Sequence, residues 1–193
     1  MKQYLQYNWW KYLAILLIPI ILWCGIFDIL QKPAAHQRMR ILYVGENLDT
    51  AALQQKLSAA LPTLTDQPLK EIRVKNEQHC DSTLLTARCF EYDLIIIEAS
   101  RSQEKLGQRV FRALSPELID LFSAASLYQE TAESSEKNYG FLLKPEDETV
   151  FSSCYSGSDT CYLFFSPESV NCNPAGGNDA ALKAAYYLME STS

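Results

Sequence analysis

The sequence predicts an α/β fold. It reads as one N-terminal transmembrane helix followed by a doubly wound, mainly parallel sheet with helices on both faces and a C-terminal hairpin. Three observations predict it. An uncharged apolar run lies near the N-terminus. Two four-residue apolar runs, Ile41–Val44 and Leu94–Ile97, have the continuous hydrophobicity of strands covered on both faces. Helical patterns alternate with strands in the order β-α-β-α-β, which favours parallel pairing through right-handed crossovers. The expected organisation is a membrane anchor over 1–30 (its crossing part about 10–30), a linker over 31–38 and an α/β domain over 39–193.

The anchor rests on YLAILLIPIILWCGIF, residues 12–27, which carries no charge, with Ile29 and Leu30 beyond Asp28. Roughly 18 residues at ~1.5 Å each approach the ~30 Å hydrocarbon thickness of a bilayer. Trp9, Trp10 and Tyr12 at one end and Trp23 near the other suit the two interfaces, and Pro19 is tolerated in lipid. The run is too long for a signal-peptide core, and FDILQKP offers no small-x-small cleavage site. Trp23 before Cys24 argues against a lipoprotein cysteine.

In the domain, Met39–Val44 forms a first strand ending at Gly45. Asp49 or Thr50 caps a helix whose Ala52, Leu53, Leu57, Ala60 and Leu61 share a face, and Pro62 ends it. Residues 69–76 alternate as a more exposed strand, 82–90 form a short helix, and 94–97 form the second buried strand. Residues 102–129 read as helical with a break at Ser115-Pro116, where Pro suits a first helical position. One or two strands follow Tyr139. Asn178 caps a last helix over 179–189.

Lys2, Lys11 and Asp28 are the only charges before residue 32, so 15 of the 17 basic and 22 of the 23 acidic residues belong to the rest. An acidic domain without a basic stripe repels phosphate backbones, which excludes nucleic acid as the expected partner. No C-x-x-C occurs and only His36 and His79 are present, so no zinc spacing exists and no metal or cofactor is expected. Cys154 and Cys161 sit symmetrically about YSGSDT, a turn-like sequence, and a hairpin there would bring them to disulfide distance. Cys80 and Cys89 form a second candidate pair, leaving Cys172 over. The alternative is free thiols in a reducing compartment. Basic flanks on the 32–40 side favour a cytoplasmic domain and the cysteines an extracytoplasmic one. The expectation is a single-pass protein of the cell membrane with its domain outside.

Nucleotide-binding glycine loops, the zinc-protease helix and the nucleophile elbow are all missing from the sequence. A histidine-dependent site would have to use His79, which reads as a surface residue, so no catalytic residue is assigned. The acidic run Glu146–Glu148 lacks the spacing of a calcium loop. In open α/β sheets ligands sit outside the carboxyl ends of the strands. That rule singles out Gly45, Glu46 and Asn47 after the first strand, and Glu98, Ala99 and Ser100 after the third. The competing reading of these six is ordinary loop and cap residues.

The runs MRILYVGENLDTAALQQKLSAAL, YDLIIIEAS, LSPELIDLF and YGFLLK together resemble the first lobe of extracytoplasmic solute-binding proteins of ABC importers. CYLFFSPESVN and DAALKAAYYLM resemble the segment that returns to that lobe. Such proteins are about twice this length and clamp solute between two lobes, whereas only ~30 residues here separate Tyr139 from Asn171, too few for a second lobe. The resemblance implies a single-lobe, membrane-tethered module that binds a small solute beside an ABC permease or a sensor. The alternatives are a non-catalytic assembly protein using the same fold and, less in keeping with the residues, an enzyme with a cysteine nucleophile.

Overall fold

A computed structural model describes residues 2–31, 33–65, 69–79, 82–103, 105–111, 113–122, 125–132, 135–172 and 178–191. Helix α1 (Lys2–Gln31) forms over the N-terminal apolar run with Pro19 inside it, within a compact unit of its own, Met1–Ala34. Among the described residues, no helix is long and apolar enough to cross a membrane, which corrects the transmembrane span expected over about 10–30. Lys11 and Asp28 bound the uncharged run at 16 residues, Tyr12–Phe27, which at ~1.5 Å per residue cover about 24 Å, short of the ~30 Å of hydrocarbon.

The second unit, Ala35–Ser193, is built on a six-stranded sheet. Its strands are β1 (Arg38–Val44), β2 (Glu71–Glu77), β3 (Leu94–Glu98), β4 (Leu127–Ala132), β5 (Ser135–Leu143) and β6 (Cys161–Phe165). They lie in the order β2-β1-β3-β6-β5-β4. The helices are α2 (Thr50–Leu64), α3 (Ser82–Arg88), α4 (Leu106–Val110), α5 (Pro116–Leu121) and α6 (Ala180–Met189).

β1 pairs in parallel with both β2 and β3, with Ile41 opposite Leu94 and Val44 opposite Ile97. Beyond β3 every pairing is antiparallel. The sheet is therefore mixed, which corrects the expectation of a mainly parallel one. The cause lies in residues 102–129. A further parallel strand needs a crossover of a dozen residues or more, usually one helix. Here the segment yields only a five-residue α4 and a six-residue α5, and Leu127 already begins a strand. The chain turns back through the β4–β5 hairpin, and β6 closes against β3 from the other direction.

Alternation along the strands sorts the core into two layers. Met39, Ile41, Tyr43, Leu94, Ile96, Leu163 and Phe165 pack with Leu53, Leu57 and Leu61 of α2 and with Ala181, Ala184, Ala185 and Leu188 of α6. Leu42, Val44, Ile95, Ile97 and Phe164 pack with Leu85 of α3 and with Leu106 and Val110 of α4. Asp49 caps α2, its Oδ1 accepting from the N–H groups of Ala51 (3.1 Å) and Ala52 (2.9 Å). Asn178 does not cap α6. Asp179 holds that position, and Asn178 donates instead from Nδ2 to Asn171 Oδ1 at 2.9 Å.

The expected Cys154–Cys161 hairpin does not form, and both residues are free thiols. Cys154 ends a 3₁₀ turn (Ser152–Cys154), whereas Cys161 opens β6 opposite Glu98 on one side and Leu143 on the other. The two cysteines are thus not cross-strand partners, and no bridge joins them. Cys89 is also a free, buried thiol, its Sγ 3.3 Å from Thr86 O. Its suggested partner Cys80 lies outside the described residues.

Candidate functional site

The strand period of two puts Tyr43 of β1, Glu98 of β3 and Cys161 of β6 on one face of the sheet, where the carboxyl ends of β1 and β3 meet the start of β6. Five of the six residues expected at the ligand edge surround this point. Glu98 is 2% exposed, and a buried carboxylate is costly unless it is fully hydrogen-bonded. Its Oε1 accepts from the hydroxyl of Tyr43 and from Asn47 Nδ2 at 3.1 Å and Asn47 N at 3.2 Å. It also accepts from Glu46 N at 3.3 Å and the hydroxyl of Tyr155 at 3.4 Å. Gly45 makes the approach possible. A Cβ there would lie 2.4 Å from both Glu98 Cδ and the Tyr43 hydroxyl.

Burial pushes the Glu98 carboxyl up, but the bonds from Tyr43, the Asn47 and Glu46 N–H groups and the Asn47 amide outweigh it and hold the group below the ordinary carboxylate range. The same burial, with the negative charge of Glu98 alongside, raises the Tyr43 hydroxyl. The Cys161 thiol is pushed up to about 12, mainly by burial and further by Glu98 and Asp159, which makes it a poor nucleophile.

A segment before β6 closes over this edge. Asp49 N donates to Cys154 O (2.9 Å), Ser156 N and Oγ donate to Asn47 O (2.9 and 3.0 Å), and Ala99 N donates to Thr160 O (2.9 Å). Gly157 backs the cluster, since a Cβ there would meet the Tyr155 hydroxyl at 2.4 Å and Asn47 Cβ at 3.0 Å. Glu46 is exposed and pairs with Arg101 across 2.6 Å, and Ser100 is exposed at the rim. The edge is thus a knot that ties two loops to the sheet, with its donors spent internally. Sequence reasoning missed Tyr43, Tyr155, Gly157 and Arg101. The signal available was a tyrosine two residues before Gly45 in an otherwise aliphatic strand.

Reactive constellations fare no better. Lys56 Nζ donates to Ser153 Oγ at 2.6 Å, but both side chains are at the surface and the Ser153 hydroxyl is committed to Val150 O. Among the described residues no group of three His, Cys, Asp or Glu side chains could hold a metal ion.

The opposite end of the parallel strands is more open. Arg38 and Arg40 of β1, with Glu91, Asp93, Glu168 and Ser169, line a bowl of about 160 Å³. Asp93, 7% exposed, accepts from Arg40 N at 2.9 Å on Oδ2, and from Ser169 Oγ and Asn171 Nδ2 (2.9 Å) on Oδ1. Burial dominates there and raises the Asp93 carboxyl despite these bonds. Arg38 Nε is buried with no hydrogen-bond partner. A larger cavity of about 340 Å³ is lined chiefly by Leu121, Phe122, Ala125, Tyr186 and Met189. No protein-family model matches the chain, and no curated protein or solved structure matches it.

Proposed function

We propose that the domain is a non-catalytic binding module of the single-lobe, solute-binding kind, serving beside an importer or sensor. One observation carries the reading. The side chains capable of chemistry, Glu98, Tyr43, Tyr155 and Cys161, are consumed by one another, whereas two arginines two residues apart on β1 face an open bowl. Groups arranged in this way hold a ligand and do not transform it. A single lobe has no partner to close over solute, so modest affinity belongs to the proposal.

The test is a melting curve of the full chain against amino acids, sugars, dicarboxylates, polyamines and short peptides. At a concentration 100 times its Kd, a true ligand adds about 2.7 kcal/mol to stability, a readily measured shift. If every class leaves the melt unchanged and in-cell crosslinking recovers a protein instead, the solute reading fails. The internally closed Glu98 edge favours that second reading, a structural or assembly role through protein contacts.

A further inference from the structure

The cavity of about 340 Å³ beside α5 and the end of α6 plays no part in the function proposed above. Leu121 (57% exposed) and Tyr186 (59% exposed) stand at it, and Phe122, Ala125 and Met189 complete its apolar wall. Apolar residues scattered singly over a surface need no explanation, but several gathered around one concavity mark an interaction site. A notch of about 80 Å³ adjoins the cavity through Ala125 and Met189, and there Lys144 and Asp147 carry opposite charges.

Size, backbone pairing and charge define the occupant. At ~30 Å³ for each water-sized group the cavity takes about 11 non-hydrogen atoms, the content of one leucine and one phenylalanine side chain. Two such anchors sit side by side when they are one helical turn apart, at i and i+4. An extended segment fits poorly, because the backbone around the cavity is already paired. Val150 N donates to Glu190 O (3.1 Å), Phe151 N to Leu188 O (3.1 Å) and Ala125 N to Phe122 O (2.8 Å), and Thr149 bridges Ser191. An added strand finds no ladder to join there, whereas a helix brings its own backbone bonds. Glu190 lines the cavity, and on α5 Glu117 lies one turn before Leu121 and Asp120 next to it. All three carboxylates are exposed, and among the described residues none is in an ion pair. A second copy presenting this face would set like charges against each other, whereas a partner with Lys or Arg beside its anchors would complement them. We propose that this face receives an amphipathic basic helix of a partner protein. Two bulky apolar residues one turn apart enter the cavity, and flanking Lys or Arg side chains meet Glu117, Asp120 and Glu190. The surface is a second one, independent of the solute reading.

Fluorescence anisotropy of the full chain with three labelled peptides of about four helical turns tests it. The first carries Leu and Phe four positions apart in an Ala- and Lys-rich frame, the second has Glu for every Lys, and the third scrambles the first. The Lys peptide binds saturably, and the other two bind at least about tenfold more weakly. Leu121→Lys and Tyr186→Lys, both at exposed positions, each weaken the Lys peptide by about tenfold or more, while Leu64→Lys on α2 changes it less than about twofold. Asp120→Asn combined with Glu190→Gln flattens the salt dependence of binding. Equal binding of the scramble, or Lys-peptide binding that survives both Leu121→Lys and Tyr186→Lys, would reduce the effect to general attraction for an acidic chain and overturn the groove. Equal binding of the Glu peptide would overturn the basic partner, and no binding of any peptide would overturn the proposal as a whole.

Discussion

Glu98 and Asp93 are two buried carboxylates on one strand and its approach, and their surroundings push them in opposite directions. Glu98 receives more donors than burial can offset and titrates below its unfolded value, whereas burial outweighs the bonds to Asp93. The signs follow from linkage. A lowered folded pKa means that the Glu98 contribution is fully present above the unfolded value of about 4.3 and is lost as pH falls through the folded one. A raised folded pKa means that Asp93 is most favourable when protonated and opposes folding as pH rises through its folded value. Replacing Glu98 by Gln removes the charge from its bonds and costs about 2 kcal/mol near neutral pH. Urea unfolding of both proteins from about pH 7 down to pH 3 checks this. The gap between wild type and Glu98→Gln narrows as the medium becomes acid, and a gap that stays constant would deny Glu98 its ionised role.

Helix α2 depends on a cap that the sequence displays openly. Asp49 takes two of the orphan N–H groups at its start, so Asp49→Ala lowers stability by about 1 kcal/mol, read as an earlier urea midpoint with an unchanged slope. Elements governed by local rules were legible in the same way. Ile41–Val44 and Leu94–Ile97 are buried on both faces, as their short unbroken apolar runs, closed by Gly45 and Glu98, suggested for strands inside a sheet. The Ser115-Pro116 start of α5 was also plain, with Ser115 Oγ accepting from Leu118 N. The antiparallel half was not. SAASLYQ has the composition of a helix, yet Leu127–Ala132 is a strand because β5 is available to pair with it. Cys154 and Cys161 looked opposed because their spacing is symmetrical, but the real neighbours of Cys161 are Glu98 of β3 and Leu143 of β5, both outside that turn. The candidate edge followed from a general rule of α/β sheets. That its donors are internally spent depended on Tyr155 and Gly157 arriving from a distant loop, which no local pattern announces.

At the scale of the molecule, the thiols report on the whole fold. Cys89, Cys154 and Cys161 are buried and unbridged, while Cys24 is exposed. A membrane-impermeant maleimide applied to the purified chain therefore modifies Cys24 first. The three buried thiols react only on unfolding and without prior reduction, as peptide mapping would show. A need for reductant at Cys154 or Cys161 would contradict the free thiols. The seam between the parallel and antiparallel halves has a further consequence, for the chain as it is made. β1, β2 and β3 emerge from the ribosome early and can pair at once, but the second neighbour of β3 is β6, which follows about 60 residues later. At ~5–20 residues per second this interval lasts roughly 3–12 s. Throughout it the fully apolar Leu94–Ile97 edge has no strand beside it, and such an edge invites pairing with another nascent chain. Slowing translation between Glu98 and Cys161 is therefore expected to lower the yield of folded chain, and an unchanged yield would deny the waiting edge any role.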